Sequence, residues 1–330
     1  MPPMRDTEGR RELLARIALL YYEQNKTQQE ISDITHIARS AISRMLDEAR
    51  DLGVVEIKVN YPWRTVPALE RALQSEFDLV AARVLKRGDK SFPESLRGIG
   101  ELAAQYFSEV LTDHSVIGVS WGTLVHQAVH SLPKQSRPNA EVLQLVGGTG
   151  AEKGSAVGPL LTPTLAERLD CACRLMNAPL LTKSAEMTKA LIQEPVVRDL
   201  MERAKDIDIS LVGIGALDLN IYNPYKLGYV TADEVRDMVA AGAVGDVCGY
   251  HFSSDGEVLD IDMNHRFVHV SLDLLRKVRR VIGVAGGLIK ANAIYGALSG
   301  GMTNVLITDE AAAQEVLHLK QTKQHKAVAL

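Results

Sequence analysis

Polar side chains of one short segment have the types and the spacing that read DNA bases. Arg39, Ser40, Ser43 and Arg44 occupy positions that would share one exposed face of a helix, with no acidic residue among them. An arginine can pair bidentately with guanine, and a serine hydroxyl can bond to bases or phosphates. Together with Gln28 at the start of the preceding helix, these residues are the predicted DNA-contacting surface.

A second group of candidate residues follows predicted strands. Gly118-Val119-Ser120-Trp121-Gly122-Thr123 joins a strand to a helix, whose N-terminal amides and hydroxyls would cradle a phosphate. Further glycine loops contain Gly148-Thr149, Gly213-Ile214-Gly215 and Ala285-Gly286-Gly287, the last followed by Lys290. Glycine after a strand can also serve only a tight turn, and that alternative stays open. The preferred interpretation is a small phosphorylated ligand.

Other reactive residues give weaker signals. Asp246 precedes a predicted hairpin, where its carboxylate could bind sugar hydroxyls or simply end a turn. Cys171 and Cys173 have no second cysteine pair or histidine cluster nearby, so a zinc site is not expected. General acid–base chemistry needs a group within reach of the proton that moves, and no such pair is evident. We therefore predict no catalytic residue, no metal and no cofactor.

The elements that position the first group form a helix-turn-helix pattern. Thr27 can cap a helix over Gln28–Ile34, with Ile31 and Ile34 expected on one buried face. A turn at residues 35–37 leads to a second helix from about Arg39 to Leu52. Its apolar residues share the buried face: Ile42, Met45, Leu46 and Ala49.

Two details qualify the pattern, and one extends it. The turn position that usually holds glycine is His36, and the usual serine or threonine cap of the second helix is Ala38. Histidine tolerates positive φ better than most residues. Gly53 and the alternating segment VVEIKV then predict a strand, and so a winged variant. A purely structural helix pair is the alternative.

The rest of the chain alternates between apolar strands and amphipathic helices. This rhythm predicts an α/β fold with a mostly parallel sheet and helices on both faces. A β-hairpin with an Asp255-Gly256 turn is expected within residues 246–262. We predict two domains, residues 1–60 for DNA binding and 61–330 for ligand binding and oligomerisation. The predicted strands are Leu79–Leu85, Ser115–Val119, Val142–Val146, Cys173–Asn177, Ile209–Ile214, Val281–Ala285 and Asn304–Ile307.

Charge and composition limit the partners. The whole chain has a net charge of −4, and its first 60 residues hold nine basic and ten acidic residues. DNA binding therefore needs a local face, and several copies acting together would compensate for its few cations. No apolar run approaches the about 20 residues of a membrane span. With three cysteines and no signal peptide, we expect a cytoplasmic protein without a membrane partner.

Several segments together resemble the SorC family of sugar-responsive bacterial transcription regulators, over nearly the whole chain from about Arg10. The segments are TQQEISDITHIARSAISRMLDEARDLGVVEI, GVSWGT, LQLVGGTG, LVGIGALD, GYVTADE, GAVGDVCGYHFSSDG and AGGLIKANAIYGALSGGMTNVLITDEAAA. The resemblance implies a DNA-binding domain and a Rossmann-like effector domain similar to phosphosugar isomerases and glucosamine-6-phosphate deaminases. It also implies tetramers, as dimers of dimers, on operator DNA, with a phosphorylated sugar or polyol as effector.

The resemblance also assigns roles in effector binding. Ser120, Trp121, Gly122 and Thr123 look like the family's phosphate loop, and Lys290 resembles its phosphate-binding lysine. The sugar contact would be Asp246, while Gly148 and Thr149 lie on a second loop. Some members have arginine where this chain has Val146, so the resemblance implies no second anionic contact of the kind that a bisphosphate ligand needs.

Two other functions compete with ligand-controlled regulation. The first is a phosphosugar isomerase or deaminase with an accessory N-terminal domain. Against it, Gly213-Ile214-Gly215 continues as Ala216-Leu217-Asp218-Leu219-Asn220, without the histidine that supplies proton transfer in the deaminase-like enzymes. The second is a phosphosugar-binding protein whose helix-turn-helix serves only for assembly. That alternative predicts unchanged DNA affinity when Arg39 and Arg44 become alanine.

Overall fold

A computed structural model describes residues 6–55, 63–88, 91–149 and 160–328. Contacts between Cα atoms divide the chain into two units, Met1–Pro62 and Trp63–Leu330. The predicted domain boundary, between residues 60 and 61, falls outside the described residues.

The first unit consists of helices around a small apolar core. Its helices are α1 (Asp6–Ala18), which continues as a π-helical turn (Leu19–Glu23), α2 (Gln28–Thr35) and α3 (Arg39–Asp51). The Thr27 hydroxyl accepts the Glu30 amide at 3.2 Å, and the Glu30 carboxylate accepts the Thr27 amide at 2.8 Å. This reciprocal capping box satisfies two amides at the start of α2. The buried core comprises Leu14, Ile17, Ile31, Ile42, Met45, Leu46 and Ala49.

The helix-turn-helix prediction is confirmed in its turn and in the buried face of α3. His36 ends α2 in the left-handed conformation, with φ 56° and ψ 24°, and Ala38 makes no side-chain capping bond. One expectation is wrong: Ile31 is fully buried, but Ile34 is 49% exposed. Positions three apart differ by about 60° around a helix, which carries Ile34 past the edge of this narrow core. The predicted wing strand falls largely on residues 56–59, outside the described residues.

The second unit alternates strands with helices, as predicted. Its helices, in chain order, are α4 (Pro67–Phe77), α5 (Phe92–Val110), α6 (Thr123–Ser131), α7 (Leu161–Leu169), α8 (Ala185–Gln193), α9 (Pro195–Arg203), α10 (Asn223–Lys226), α11 (Ala232–Ala240), α12 (Asp262–Arg266), α13 (Leu272–Leu275), α14 (Ala291–Ser299) and α15 (Glu310–Val328). Its strands are β1 (Ala81–Leu85), β2 (Val116–Val119), β3 (Glu141–Gln144), β4 (Ala172–Arg174), β5 (Ile209–Ala216), β6 (Ala243–Val247), β7 (Tyr250–Ser253), β8 (Arg280–Val284) and β9 (Val305–Asp309). Short 3₁₀ turns lie at Ala204–Asp206 and Leu288–Lys290.

Seven strands form a parallel sheet in the order β1-β9-β8-β5-β2-β3-β4, and β6 and β7 extend it antiparallel from the end of β5. Alternate strand residues enter two separate cores, so the sheet is covered on both faces. Helices α5, α6 and α7 cover one face, and α4, α9, α11, α14 and α15 contribute to the other. The predicted α/β architecture is therefore confirmed.

The hairpin prediction in this unit is incomplete. The turn at Asp255-Gly256 is present with a short antiparallel pairing, in which Phe252 is paired with Val258 and the Ser253 amide donates to Glu257 O at 2.9 Å. A second hairpin, which was not predicted, turns at Cys248-Gly249, between β6 and β7. Both turn residues have positive φ, 53° and 82°, as the tightest hairpin turns require. The sequence placed this turn inside a strand because cysteine is rare at such positions. Residues 185–203 form two helices rather than one, α8 and α9, since Pro195 has no amide to continue the first helix. No helix in the described part of the chain is long and apolar enough to cross a membrane.

Candidate functional site

The predicted DNA-contacting residues lie on α3 and at the start of α2. Arg39, Ser40 and Arg44 are exposed, while Ser43 and Gln28 are half-buried. Within residues 6–55, neither Arg39 nor Arg44 forms an ion pair, whereas Arg50 pairs with Asp47. Their guanidinium groups are thus available to a phosphate or a base.

A cavity of about 230 Å³ lies at the carboxyl ends of β2, β5 and β8. Ligands bind at this edge of parallel sheets because the loops after the strands converge there. Residues from α5, α6, α10 and the 3₁₀ turn before α14 also line it. The polar or charged lining residues are Thr123, Tyr222, Asn223, Lys226, Asp246, Cys248 and Lys290, and the large apolar ones include Phe92, Leu96, Trp121, Ile221 and Ile289.

The start of α6 forms one side of the cavity. Gly122 has φ 149°, a conformation that side chains disfavour, and places Thr123 at the first helical position. Opposite this turn, a Cβ on Gly213 would lie 3.1 Å from the Trp121 carbonyl. The two glycines allow the loops after β2 and within β5 to approach closely. The unpaired amides at the start of α6 consequently border the cavity, and they favour an anion.

Lys290 provides a cation at the same cavity. Its ammonium donates to the carbonyl oxygen of Ile214 at 2.7 Å, which holds the side chain against the end of β5. Burial lowers the pKa of Lys290, and Asp246 opposes that shift. An ammonium has three protons, so this bond leaves further donors for an anionic ligand.

Asp246 lies in a row across three strands. In the antiparallel ladders, Gly215 of β5 is paired with Asp246 of β6, which is paired with His251 of β7. A Cβ on Gly215 would lie only 2.0 Å from Asp246 Oδ1, so the carboxylate occupies the space that glycine leaves. The Gly249 amide donates to Oδ2 at 3.2 Å. Burial raises the pKa of Asp246, and His251, the Gly249 amide and Lys290 oppose the shift.

Three predicted effector residues do not line the cavity. Ser120 is 4% exposed, and its hydroxyl accepts the Gly213 amide at 3.4 Å beneath the loop. The Gly148 amide donates to Ala178 O at 2.8 Å, which occupies it in main-chain pairing. Thr149 is half-buried beside residues outside the described part. The cavity thus unites Trp121, Gly122, Thr123, Asp246 and Lys290.

Sequence reasoning did not identify the wall contributed by α10 and the chain before it. Tyr222 is 2% exposed, and its hydroxyl lies 2.6 Å from His251 Nε2. Asn223 and Lys226 of α10 also line the cavity, as does Phe92 at the start of α5. No motif marks these residues, because they reach the cavity from a loop and from helix ends. Only the pairing of a tyrosine with a hairpin histidine, 29 residues apart, could have pointed to them.

The described residues contain no group of three or more His, Cys, Asp or Glu side chains that could hold a metal ion. The cavity offers donors for an anion at α6 and Lys290, and acceptors at Asp246, an arrangement that suits the recognition of a polar ligand. Cys248 also borders it, but burial raises the pKa of this thiol to about 12, so it remains a protonated, unreactive side chain.

Comparison with known proteins matches both units. The family model described as "Putative sugar-binding domain" covers residues 63–318. The chain is 36% identical to transcriptional regulator LsrR of Enterobacter sp. (strain 638) over 317 residues, 93% of each chain. It is 30% identical to the sorbitol operon regulator of Klebsiella pneumoniae over 307 residues, 92% of this chain and 97% of the relative. The structure of full-length SorC from K. pneumoniae aligns with a TM-score of 0.72 at 30% identity, covering 93% of this chain and 98% of that one.

Proposed function

The chain belongs to the SorC family of sugar-responsive bacterial transcriptional regulators, and from that premise we propose that it controls a carbohydrate or polyol operon in response to a phosphorylated sugar. The effector binds in the cavity of the second unit. Operator DNA binds to the α2–α3 surface of the first unit.

One observation carries the effector assignment. The cavity brings a lysine and the open N-terminus of a nine-residue helix to the same space as a buried carboxylate. A phosphate fits the helix amides and Lys290, since both supply donors and positive potential. The remaining sugar hydroxyls then meet Asp246, because a carboxylate accepts hydrogen bonds from them. A neutral sugar would leave the cationic end of this cavity unmatched.

The DNA assignment depends on α3. Its exposed face carries two arginines without an ion pair in residues 6–55, together with Ser40 and the half-buried Ser43. Two arginines are few for a protein of negative net charge. Because paired half-sites add their phosphate contacts, we propose a homo-oligomer on the operator, a tetramer built as a dimer of dimers. The effector shifts operator binding by its differential affinity for two arrangements of the subunits.

A phosphosugar isomerase or deaminase is the alternative. The loop after Gly215 contains no histidine, and His251, next to the cavity wall, is already bonded to Tyr222 and Asn264. Proton transfer to a sugar carbon needs a base within hydrogen-bond reach of the substrate. Turnover of a phosphorylated sugar by the purified protein would establish the enzyme instead.

Two substitutions test effector binding and operator binding separately. Lys290→Ala should abolish the effector response and leave operator binding intact, with Lys205→Ala as control, a surface lysine at the opposite end of β5. Arg44→Ala should abolish specific operator binding and leave effector affinity unchanged, with Arg16→Ala on α1 as control. Operator fragments are first selected from the genomic DNA of the organism that encodes the protein. If Lys290→Ala instead loses operator binding and keeps its response to the effector, the assignment of the effector site fails.

The effector itself is found by thermal shift with phosphorylated sugars and polyols, since a ligand of the native state raises the melting temperature. The unphosphorylated sugars are the matched controls. A shift caused equally by both forms would remove the phosphate from the proposal.

A further inference from the structure

We infer that each hydrogen bond through Tyr222, His251 and Asn264 has a fixed donor, and that the inner wall of the cavity therefore presents hydrogen-bond acceptors. This wall selects an effector with hydroxyl donors at its non-phosphorylated end. The inference rests on the proposed function, since it takes the cavity as the effector site. It assigns Tyr222 to specificity, and His251 and Asn264 to positioning.

The order begins at Asn264, whose amide orientation is fixed by its partners. Its Nδ2 group donates to two main-chain carbonyls, of His251 at 3.0 Å and of Leu259 at 2.8 Å. Carbonyl oxygens only accept, so the opposite atom of the amide must be Oδ1. This Oδ1 accepts the His251 main-chain amide at 2.8 Å and lies 2.6 Å from His251 Nδ1. Nδ1 must therefore carry a proton.

The protonation of His251 determines which atom donates in its hydrogen bond with Tyr222. The imidazole is fully buried, and burial lowers its pKa, so the ring is neutral and has a single N–H. Because that proton is on Nδ1, Nε2 keeps a free lone pair. The Tyr222 hydroxyl, 2.6 Å away, must then donate to Nε2. Each hydrogen bond of this network therefore has only one possible donor and one possible acceptor.

The consequence reaches the cavity because Tyr222 is part of its wall. A phenol has one proton, and Tyr222 uses it in the hydrogen bond to His251, so any further bond of its oxygen is one that it accepts. Asp246 lies opposite His251 in the ladder, and its carboxylate, which accepts the Gly249 amide, offers further lone pairs. The ligand's hydroxyl donors fit this wall, whereas a carboxylate would meet lone pairs on both sides.

The wall differs from the anion end of the same cavity. Lys290 and the amides of α6 are donors, so a phosphate belongs there. A ligand is thus read at two ends with opposite requirements: an anion at one and hydroxyls at the other. Matched ligands expose the second requirement, since glucitol 6-phosphate and 6-phosphogluconate differ only in a terminal hydroxymethyl against a carboxylate. Ribitol 5-phosphate and 5-phosphoribonate form the corresponding five-carbon pair.

The proton order is tested first in the ligand-free full chain. Nitrogen NMR of protein labelled with nitrogen-15 histidine distinguishes the two neutral tautomers and the imidazolium. We expect the His251 ring to carry its proton on Nδ1 at neutral pH, and the signal of this ring should change in Tyr222→Phe, which removes the donor to Nε2. Tyr225→Phe, a neighbouring tyrosine outside the cavity lining, should leave it unchanged. A proton on Nε2, or an imidazolium, overturns the inference without touching the proposed function.

Selectivity is tested by titration calorimetry with the matched pairs. The wild type should prefer the polyol phosphate. Tyr222→Phe should lower the affinity for that ligand by about three- to tenfold, the range for one lost hydrogen bond, and should leave the affinity for the carboxylate-ended ligand undiminished. Equal losses for both ligands overturn the acceptor wall.

Asn264→Asp is the complementary variant. An aspartate at this position favours the imidazolium, which donates from Nε2 and frees the Tyr222 proton for the cavity, so the preference within each pair should reverse. An unchanged preference in a folded variant contradicts the inference. If no phosphorylated compound binds the wild type, the proposed function fails, while the tautomer is still decided by NMR.

Discussion

Gly215→Ala tests whether the space above β5 positions the Asp246 carboxylate. The alanine Cβ would lie 2.0 Å from Asp246 Oδ1 and 3.1 Å from its Cγ. Real Cβ atoms do not approach closer than 3.0 Å, so the carboxylate must move by at least about 1 Å. That movement takes Oδ2 away from the Gly249 amide, 3.2 Å away in the wild type.

The size of the effect follows from this displacement. Overpacking a filled site costs about 1–3 kcal/mol, and the lost bond to a charged acceptor lies in the same range. Since 1.4 kcal/mol is a factor of ten, we expect the affinity of a ligand held by Asp246 to fall by about 5- to 150-fold. The free energy of unfolding of the second unit should fall by about 1–3 kcal/mol.

The assay is a double-mutant cycle with Asp246→Ala, measured by urea unfolding and by calorimetry with the ligand found in the thermal-shift screen. Without the carboxylate, the nearest remaining Asp246 atom is its carbonyl oxygen at 3.6 Å, an ordinary contact. Gly215→Ala should therefore lose most of its destabilisation in the Asp246→Ala background. Gly9→Ala, where a Cβ meets no atom within 4 Å, is the control. An equal loss in both backgrounds, or wild-type ligand affinity in Gly215→Ala, refutes the reasoning.

Three further changes test the local physics. Ala38→Ser supplies the missing cap of α3 and should stabilise that helix by about 1 kcal/mol, seen as slower hydrogen exchange of its amides. His36→Gly removes the strain of the left-handed residue at the end of α2, so the opening free energy of the α3 amides should rise by about 0.5–1 kcal/mol and their exchange should slow. Faster exchange would show that the histidine side chain stabilises the turn by more than the strain costs. Burial alone would raise the pKa of Glu141, but Arg174 and Arg203 lower it below 4.5. The stability that this triad adds is therefore present above about pH 4.5 and is lost as pH falls through the folded-state pKa, so urea unfolding of wild type and Glu141→Gln should converge in acid.

The sequence predicted the elements well wherever one local rule decided them. Alternating apolar strands identified seven parallel strands, because a doubly covered sheet buries both faces of each strand. Thr27 and Glu30 marked the start of α2 through their three-residue spacing. His36 was expected in the left-handed turn because helix, turn and helix left it no other position. In each case the deciding interaction lies within a few residues along the chain.

The wrong and the missing predictions concern features that depend on distant parts of the chain. Ile34 has the apolar character of a core residue, but whether the core reaches it depends on how α1 and α3 pack. The Cys248-Gly249 turn follows from pairing β6 with the end of β5, which fixes where the hairpin reverses. Tyr222 was missed because its role depends on His251, brought next to it only by the fold. Candidate residues near strand ends were therefore found, including Asp246 and Lys290, whereas Tyr222 was not.

These contacts indicate which part of the cavity can respond to a ligand. The inner groups are already paired without one: Lys290 with Ile214 O, Asp246 with the Gly249 amide, and Tyr222 with His251. A ligand adds bonds to these groups with little rearrangement, which supports affinity but not a conformational shift. At the mouth, Phe92 and Ile289 are 62% and 53% exposed, so a ligand that draws them inward removes apolar surface from water. Only a difference in affinity between two states can move their equilibrium. We therefore expect the regulatory signal to arise at the mouth of the cavity, and the ligand's identity to be read at its inner wall.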